Sequence, residues 1–197
     1  VSGMDRILRI DPEEQLAVVQ PGVLNAELNA AAAEYGLFYA PDPASTAICS
    51  IGGNIATNAG GMRCAKYGVT REAVLALRVI LADGRELRTG RETIKGVSGY
   101  DLNALMIGSE GTLGIVVEAT LRLRPLPVQT ATVAAFFPNV EQAARAASAV
   151  VAARIQPSMM ELMDGQTLEA VDAALGTDYR SRGASFLLVQ TDGHGAF

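Results

Sequence analysis

Residues 50 to 61 read Ser50-Ile51-Gly52-Gly53-Asn54-Ile55-Ala56-Thr57-Asn58-Ala59-Gly60-Gly61: four glycines, two asparagines and no charge, in a chain that is 19% charged. Burial alone does not call for such a stretch. Glycine pairs allow positive φ and let a backbone come within touching distance of a ligand, while Asn, Ser and Thr supply donors and acceptors that need no counter-ion. The run therefore reads as the bed of a polar cofactor. On its N-terminal side Pro41-Asp42-Pro43 imposes an extended, turning backbone that leads into it. A second cluster, Gly108-Ser109-Glu110-Gly111-Thr112-Leu113-Gly114, lies beyond a hairpin. Two clusters suggest one ligand held from two sides, with backbone N–H groups donating to phosphate oxygens or to a ring edge. The blander use of Gly108, Gly111 and Gly114 is a tight loop feeding the next strand. Neither cluster fits G-x-G-x-x-G or G-x-x-x-x-G-K-[ST], so the residues alone stop at a polar cofactor of unspecified kind.

Composition narrows the surroundings. With 197 residues and 49% hydrophobic content, the chain can bury a real core and form one large domain or two small ones. The net charge of -5 and sixteen scattered Lys and Arg argue against nucleic acid as a partner. Cys49 and Cys64 write neither a disulfide framework nor a zinc knuckle, and they fit a reducing cytoplasm. The single histidine, His194, excludes paired-histidine motifs. Its setting, Thr191-Asp192-Gly193-His194-Gly195, reads as a solvated loop, so no catalytic residue and no metal ligand is assigned. No apolar run has membrane-spanning length. The expected location is cytoplasmic, or peripheral at a membrane. Val1 brings neither an initiator Met nor a basic leader, which suggests a piece of something longer.

Along the chain, Ile7 to Ile10 and Leu16 to Gln20 flank the turn residues Asp11-Pro12-Glu13-Glu14 and predict a hairpin. Leu24, Leu28, Ala31 and Tyr35 recur at helical spacing, with Gly36 as a C-terminal cap. Val74 to Leu81, Ala82-Asp83-Gly84 and Glu86 to Arg88 predict a second hairpin, and Asp101 to Met106 a short helix. Ile115, Val117, Ala119, Leu121 and Leu123 alternate with Val116, Glu118, Thr120, Arg122 and Arg124 as in a half-buried strand. Pro125-Leu126-Pro127 marks a boundary between residues 1–127 and 128–197. Beyond it come a strand from Thr130 to Phe137, a helix from Asn139 to about Ala153, a strand from Ser158 to Met163, a helix from Gln166 to Ala174 and a strand from Ala184 to Gln190. That β-α-β-α-β order opens a ferredoxin-like α+β domain.

Three blocks carry a family likeness: Pro41-Asp42-Pro43-Ala44-Ser45; Gly52 to Gly61 with Lys66-Tyr67-Gly68-Val69; and Gly99-Tyr100-Asp101-Leu102 running into Gly108 to Ile115. Together they resemble the FAD-binding domain of the vanillyl-alcohol oxidase and p-cresol methylhydroxylase (PCMH-type) superfamily. Within it the likeness is to the glycolate oxidase D-subunit and D-lactate dehydrogenase group, over about residues 1 to 125. Residues 126–197 are similar, more weakly, to that group's substrate (cap) domain. The implied fold class is α+β: the second subdomain of a PCMH-type FAD-binding domain, followed by the start of a ferredoxin-like cap.

The resemblance implies FAD as cofactor, lined by Pro41, Asp42, Ser45 and the run from Ser50 to Gly61. Gly52, Gly53, Asn54, Thr57, Asn58 and Gly60 would lie nearest the flavin and its phosphates. Glu110 to Val116, including Gly111, would close the other side, with Gly114, Ile115 and Val116 against the adenine half. Glu110 itself is read as an organiser of its loop, and Arg63 and Lys66 either as solvated or as facing pyrophosphate or an acidic substrate. Met159, Met160 and Met163 read as core filler, and Cys49 as packing. The implied activity is oxidation of a 2-hydroxy acid of the glycolate or D-lactate type, with electrons passing to a quinone, cytochrome, iron–sulfur subunit or electron-transfer flavoprotein. A non-catalytic FAD-binding subunit of an oxidase complex is the alternative, and a remnant that no longer binds FAD a third reading. Family members carry a glycine-rich pyrophosphate loop ahead of a segment like Val1 to Ile10, and a histidine-containing segment farther on. The chain contains neither, so it is expected to be a central portion holding half a cofactor site.

Overall fold

The computed structural model describes residues 3–93 and 95–193, which leaves His194 outside the described residues. Two compact units emerge, Val1–Leu126 and Pro127–Phe197. The first begins with a hairpin of β1 (Ile7–Asp11) and β2 (Leu16–Val19), whose turn is held by the Asp11 carboxylate accepting from the Glu14 N–H at 3.0 Å. Then come α1 (Asn25–Ala33), β3 (Leu37–Phe38), α2 (Ile51–Thr57), α3 (Cys64–Tyr67), α4 (Thr70–Ala73), β4 (Val74–Ile80), β5 (Glu86–Gly90), α5 (Leu102–Met106), β6 (Ile115–Arg122) and β7 (Arg124–Pro125). Five strands form one antiparallel sheet in the order β1-β2-β6-β4-β5, and β3 pairs with β7.

The core of this unit lies between one sheet face and the helices. Ala17, Val19, Leu28, Ala32, Ile51, Ile55, Val79, Ala119, Leu121 and Leu123 are buried in one cluster. Each large aliphatic side chain removed from water there contributes roughly 1.5–3 kcal/mol before entropy is counted. Both predicted hairpins and the short helix at Leu102–Met106 are present, the helix capped by the Asp101 carboxylate, which accepts from the Ala104 N–H at 3.0 Å.

Three sequence readings need correction. The buried stripe of α1 is Asn25, Leu28 and Ala32, while Tyr35 lies past the helix and is exposed. A bulge between Arg78 and Val79 in the pairing of β4 with β6 shifts the alternation of β6, so Val116 packs on the core and Ile115, 58% accessible, faces outward. The third concerns the glycine bed. Residues 51–57 form a helix to which the sequence reading assigned no element, and none of the four glycines of the run uses the positive φ that glycine allows; the left-handed residue is Asn58, with φ 49°.

The second unit contains β8 (Ala131–Phe137), α6 (Val140–Ala152), β9 (Met159–Met163), α7 (Gly165–Leu175) and β10 (Ser185–Thr191). This is the expected β-α-β-α-β order. β10 inserts between β8 and β9, antiparallel to both, which is a split β-α-β arrangement. Asn139 and Asp164 cap the two helices through side-chain oxygens that accept from the Gln142 N–H (2.9 Å) and Thr167 N–H (2.8 Å). Ala143, Leu168 and Leu187 are its buried apolar centre. Among the described residues, no helix is long and apolar enough to cross a membrane.

Candidate functional site

The bed is built on α2. Ser50 starts it, its hydroxyl accepting from the Gly53 N–H at 3.1 Å, and Asn58 ends it in the left-handed conformation. The Ala59 N–H returns to the Asn54 carbonyl at 2.8 Å, and the Asn58 carboxamide oxygen accepts from the Arg71 N–H at 3.0 Å, fixing α4 to the end of the bed. The Thr57 hydroxyl donates to the Gly53 carbonyl at 3.0 Å.

The second glycine cluster meets the first directly. The N–H groups of Gly108 and Glu110 donate to the carbonyls of Ile55 and Ala56, both at 2.9 Å. Gly108, Glu110 and Gly111 all have positive φ, which turns their loop back onto α2. These two N–H groups are therefore spent inside the fold rather than free for a ligand. The N–H groups of Gly52 and Asn54 are likewise spent, on Pro21 and Ser50 carbonyls.

The glycines divide by what surrounds them. A Cβ on Gly52 would lie 2.6 Å from Pro21 Cβ, one on Gly114 would lie 2.6 Å from Val79 Cγ1, and one on Gly61 would overlap Asp42. These three are required by packing. A Cβ on Gly60 would meet only ordinary contacts, at 3.5 Å from Cys64 Sγ and 3.6 Å from Val69 Cγ1; on Gly53 its single near neighbour would be Ser50 Oγ at 3.2 Å. Both are exposed. Gly111 is exposed as well, with nothing near its missing Cβ.

The leading loop is fastened from two sides. Asn25, fully buried, donates through its carboxamide to the Pro41 carbonyl at 3.0 Å and accepts from Asn29, which in turn holds the Tyr39 N–H at 3.0 Å. The Asp42 carboxylate accepts from the Arg63 N–H at 3.0 Å, with the Arg63 Nε 3.5 Å away. Burial raises the Asp42 pKa, and Arg63 opposes that rise. The Arg63 guanidinium also lies over the Phe38 ring, 5.4 Å from its centroid, so this cation is a fastener of the loop rather than a free surface charge. Lys66 sits by the Tyr67 ring, 5.2 Å from its centroid. Ser45 is exposed, and its carbonyl accepts from the Ile48 and Cys49 N–H groups. The Cys64 sulfur accepts from the Gly61 N–H.

Among the described residues, five buried side-chain polar atoms have no hydrogen-bond partner, and two of them, the Asn54 Nδ2 and the Tyr39 hydroxyl, belong to this region. Asn54 is 3% accessible and lies on α2, between Gly53 and the chain that returns from Gly108. An exposed helical glycine costs about 1 kcal/mol against alanine, and at Gly53 the one contact inside the fold that resists a side chain is the Ser50 hydroxyl at 3.2 Å. The exposed glycines Gly53, Gly60 and Gly111 leave this surface with little side-chain cover, which lets a ligand come close to the backbone.

The asparagine network and the Arg63 anchor were not anticipated from sequence. Asn25 and Asn29 stand four apart, a spacing that places both on one helix face, and that was the available signal. For the helix in the bed the signal was Ser50, a preferred N-cap type three residues before Gly53.

The class of these two antiparallel α/β units is given by comparison with known proteins: an FAD binding domain followed by the C-terminal domain of an FAD linked oxidase. The family model for an FAD binding domain matches residues 1–90, and that for the C-terminal domain of FAD linked oxidases matches residues 126–196. The glycolate oxidase subunit GlcD of Bacillus subtilis (strain 168) is 45% identical over 190 residues, covering 96% of this chain and 40% of that protein. Its namesake in Escherichia coli (strain K12) is 41% identical over 187 residues, 95% of this chain and 37% of that one. The mitochondrial D-lactate dehydrogenase [cytochrome] of Arabidopsis thaliana is 40% identical over 176 residues, 89% and 31% respectively. A solved alkyldihydroxyacetonephosphate synthase shares the fold with a TM-score of 0.83 over 98% of this chain and 37% of its own, at 22% identity. The chain thus spans less than half of each of these proteins. It belongs to the FAD-linked oxidases, and its cofactor is FAD.

Proposed function

We propose that this chain supplies one wall of an FAD site in an enzyme that oxidises a 2-hydroxy acid of the glycolate or D-lactate type. The observation that carries the reading is Gly60, an exposed glycine with room for a side chain and no conformational need to lack one, beside Gly53, also exposed, where the capping Ser50 hydroxyl at 3.2 Å is the single tight neighbour. Likeness to glycolate oxidase subunits and D-lactate dehydrogenases supports the substrate class. The subunit names among those relatives support assembly into a complex.

Bound FAD would supply acceptance of a hydride from the α-carbon of the hydroxy acid. The contribution of this chain is placement. Gly53, Gly60 and Gly111 leave space for the cofactor, Asn54 offers an amide donor, and Ile115 presents an apolar wall at the strand edge. Asp42, Gly61 and Arg63 hold the Pro41 to Ser45 loop at the border of that surface. Ser50, Gly52, Thr57, Asn58, Glu110, Gly114 and Val116 build the frame through backbone, cap and core contacts, so they shape the site more than they touch what it holds.

The test is titration of the chain with FAD, followed by quenching of flavin fluorescence. Saturable quenching that disappears in Gly60→Val supports the site. Quenching that is unchanged in Gly60→Val and in Gly53→Val would place the cofactor elsewhere.

A further inference from the structure

Away from α2, the segment after β5 borders an open pocket of about 340 Å³, lined among others by Arg71, Arg91 and Arg122. Several other arginines of this unit pair with carboxylates, Arg9 with Glu92 at 2.8 Å, Arg78 with Glu86 at 2.7 Å, Arg85 with Asp83 at 2.6 Å and Arg88 with Glu86 at 2.9 Å, while Arg6 and Arg124 form no such pair among the described residues. Among the described residues, none of the three cavity arginines forms an ion pair. The acid in the lining, Asp101, has its carboxylate turned to the Ala104 N–H as the cap of α5.

Arg122 carries the sharpest signal. Its Nε is buried without an acceptor, and partial burial together with Arg124 holds its pKa below the usual arginine value. The framework around it is fixed. Asn103 donates to the Leu75 carbonyl at 2.8 Å and accepts from the Thr89 hydroxyl, pinning α5 to β4 and β5. Arg71 and Arg91 are exposed, Arg91 donating to the Gly96 carbonyl, so the cost of desolvation without counter-charge falls on the partly buried Arg122. An oxoanion offsets that cost, because the guanidinium fork matches carboxylate and phosphate geometry.

We propose that this cavity binds a small oxoanion with two or more anionic oxygens, a dicarboxylate or a phosphate, between Arg71, Arg91 and Arg122. A volume of about 340 Å³ stands at the lower end of ligand pockets and suits a metabolite rather than a dinucleotide.

The experiment is calorimetric titration of the chain with inorganic phosphate, pyrophosphate and malonate at constant ionic strength, with chloride as control. The expected result is saturable binding of phosphates or of malonate, the stronger arm naming the source. Binding should weaken roughly tenfold or more in Arg122→Met and in Arg71→Met, the loss expected when a charge-assisted contact is removed. Arg71 is exposed, so its variant is informative even if Arg122→Met fails to fold. Binding no stronger than chloride, or unchanged in Arg71→Met, overturns the proposal. So does competition by FAD, which would make the cavity part of the cofactor site, whereas anion binding indifferent to FAD supports a separate one.

Discussion

The Glu110 N–H donates to the carbonyl of Ala56 at 2.9 Å, so the loop of the second glycine cluster caps the helix made by the first. Two segments more than fifty residues apart thereby become one surface, and the chemistry of that surface rests on which glycines the fold itself consumes. Gly52, Gly61 and Gly114 are consumed by packing, while Gly53 and Gly60 are not.

That division predicts opposite phenotypes for neighbouring residues. Gly52→Ala drives a methyl group into Pro21 and should destabilise the chain by about 1–3 kcal/mol. Gly53→Val should change stability by less than about 1 kcal/mol, since valine has a better helix propensity than glycine, yet abolish FAD binding. Urea denaturation beside flavin titration separates the two. Equal stability losses would remove the distinction between packing and ligand-facing glycines.

Much of this architecture was legible from the residues. The hairpins, the short helix after Asp101 and the β-α-β-α-β order follow from turn chemistry and periodicity, which are local properties. What escaped was set by distant partners. Helix α2 was hidden because Gly52 and Gly53 disfavour helix in isolation, and burial of Ile51 and Ile55 in the core overrides that preference. The flip of Ile115 and Val116 comes from a bulge in the pairing with β4, which no reading of β6 alone contains. The glycine run drew attention by its composition and the likeness of the blocks to a family supplied FAD, but the division of labour among its glycines needed three-dimensional neighbours.

Asn58 gives a second expectation. Its left-handed backbone ends α2, and its carboxamide oxygen holds the Arg71 N–H. Asn58→Ala should lose about 2 kcal/mol, combining left-handed strain with the lost hydrogen bond, and Asn58→Gly about 1 kcal/mol, since only the hydrogen bond is missing. Chemical denaturation of both variants checks this. An alanine variant as stable as the glycine one would show that the strain is not there.

Asp42 and Arg63 predict a pH dependence. Burial raises the Asp42 pKa above its ordinary 3.8, so the native state disfavours the carboxylate. That penalty is complete above the folded-state pKa and disappears as pH falls below the unfolded value, so stability from this group declines as pH rises through the folded pKa. Arg63 restrains the shift. Arg63→Leu should therefore raise the Asp42 pKa further and deepen the decline, which a carboxyl-carbon NMR titration of both proteins would follow. An Asp42 pKa that stays put would mean that the 3.5 Å pair carries no electrostatic weight.

In the second unit the sign is reversed. Partial burial of Asp172 opposes its ionisation, but donation from the Thr177 hydroxyl at 2.6 Å and from the Arg180 and Tyr179 N–H groups, both at 2.8 Å, outweighs it and lowers the pKa. Stability from this carboxylate is present above the unfolded pKa and is lost as pH falls through the folded one. The three donors belong to the turn that returns the chain from α7 to β10, so protonation should loosen that turn first. Asp172→Asn keeps acceptor capacity for one or two donors but removes the charge. It should flatten the acid limb of the stability profile and speed amide exchange at Tyr179 and Arg180 near neutral pH. If exchange at those two amides matched the parent, the carboxylate would not be what holds the turn.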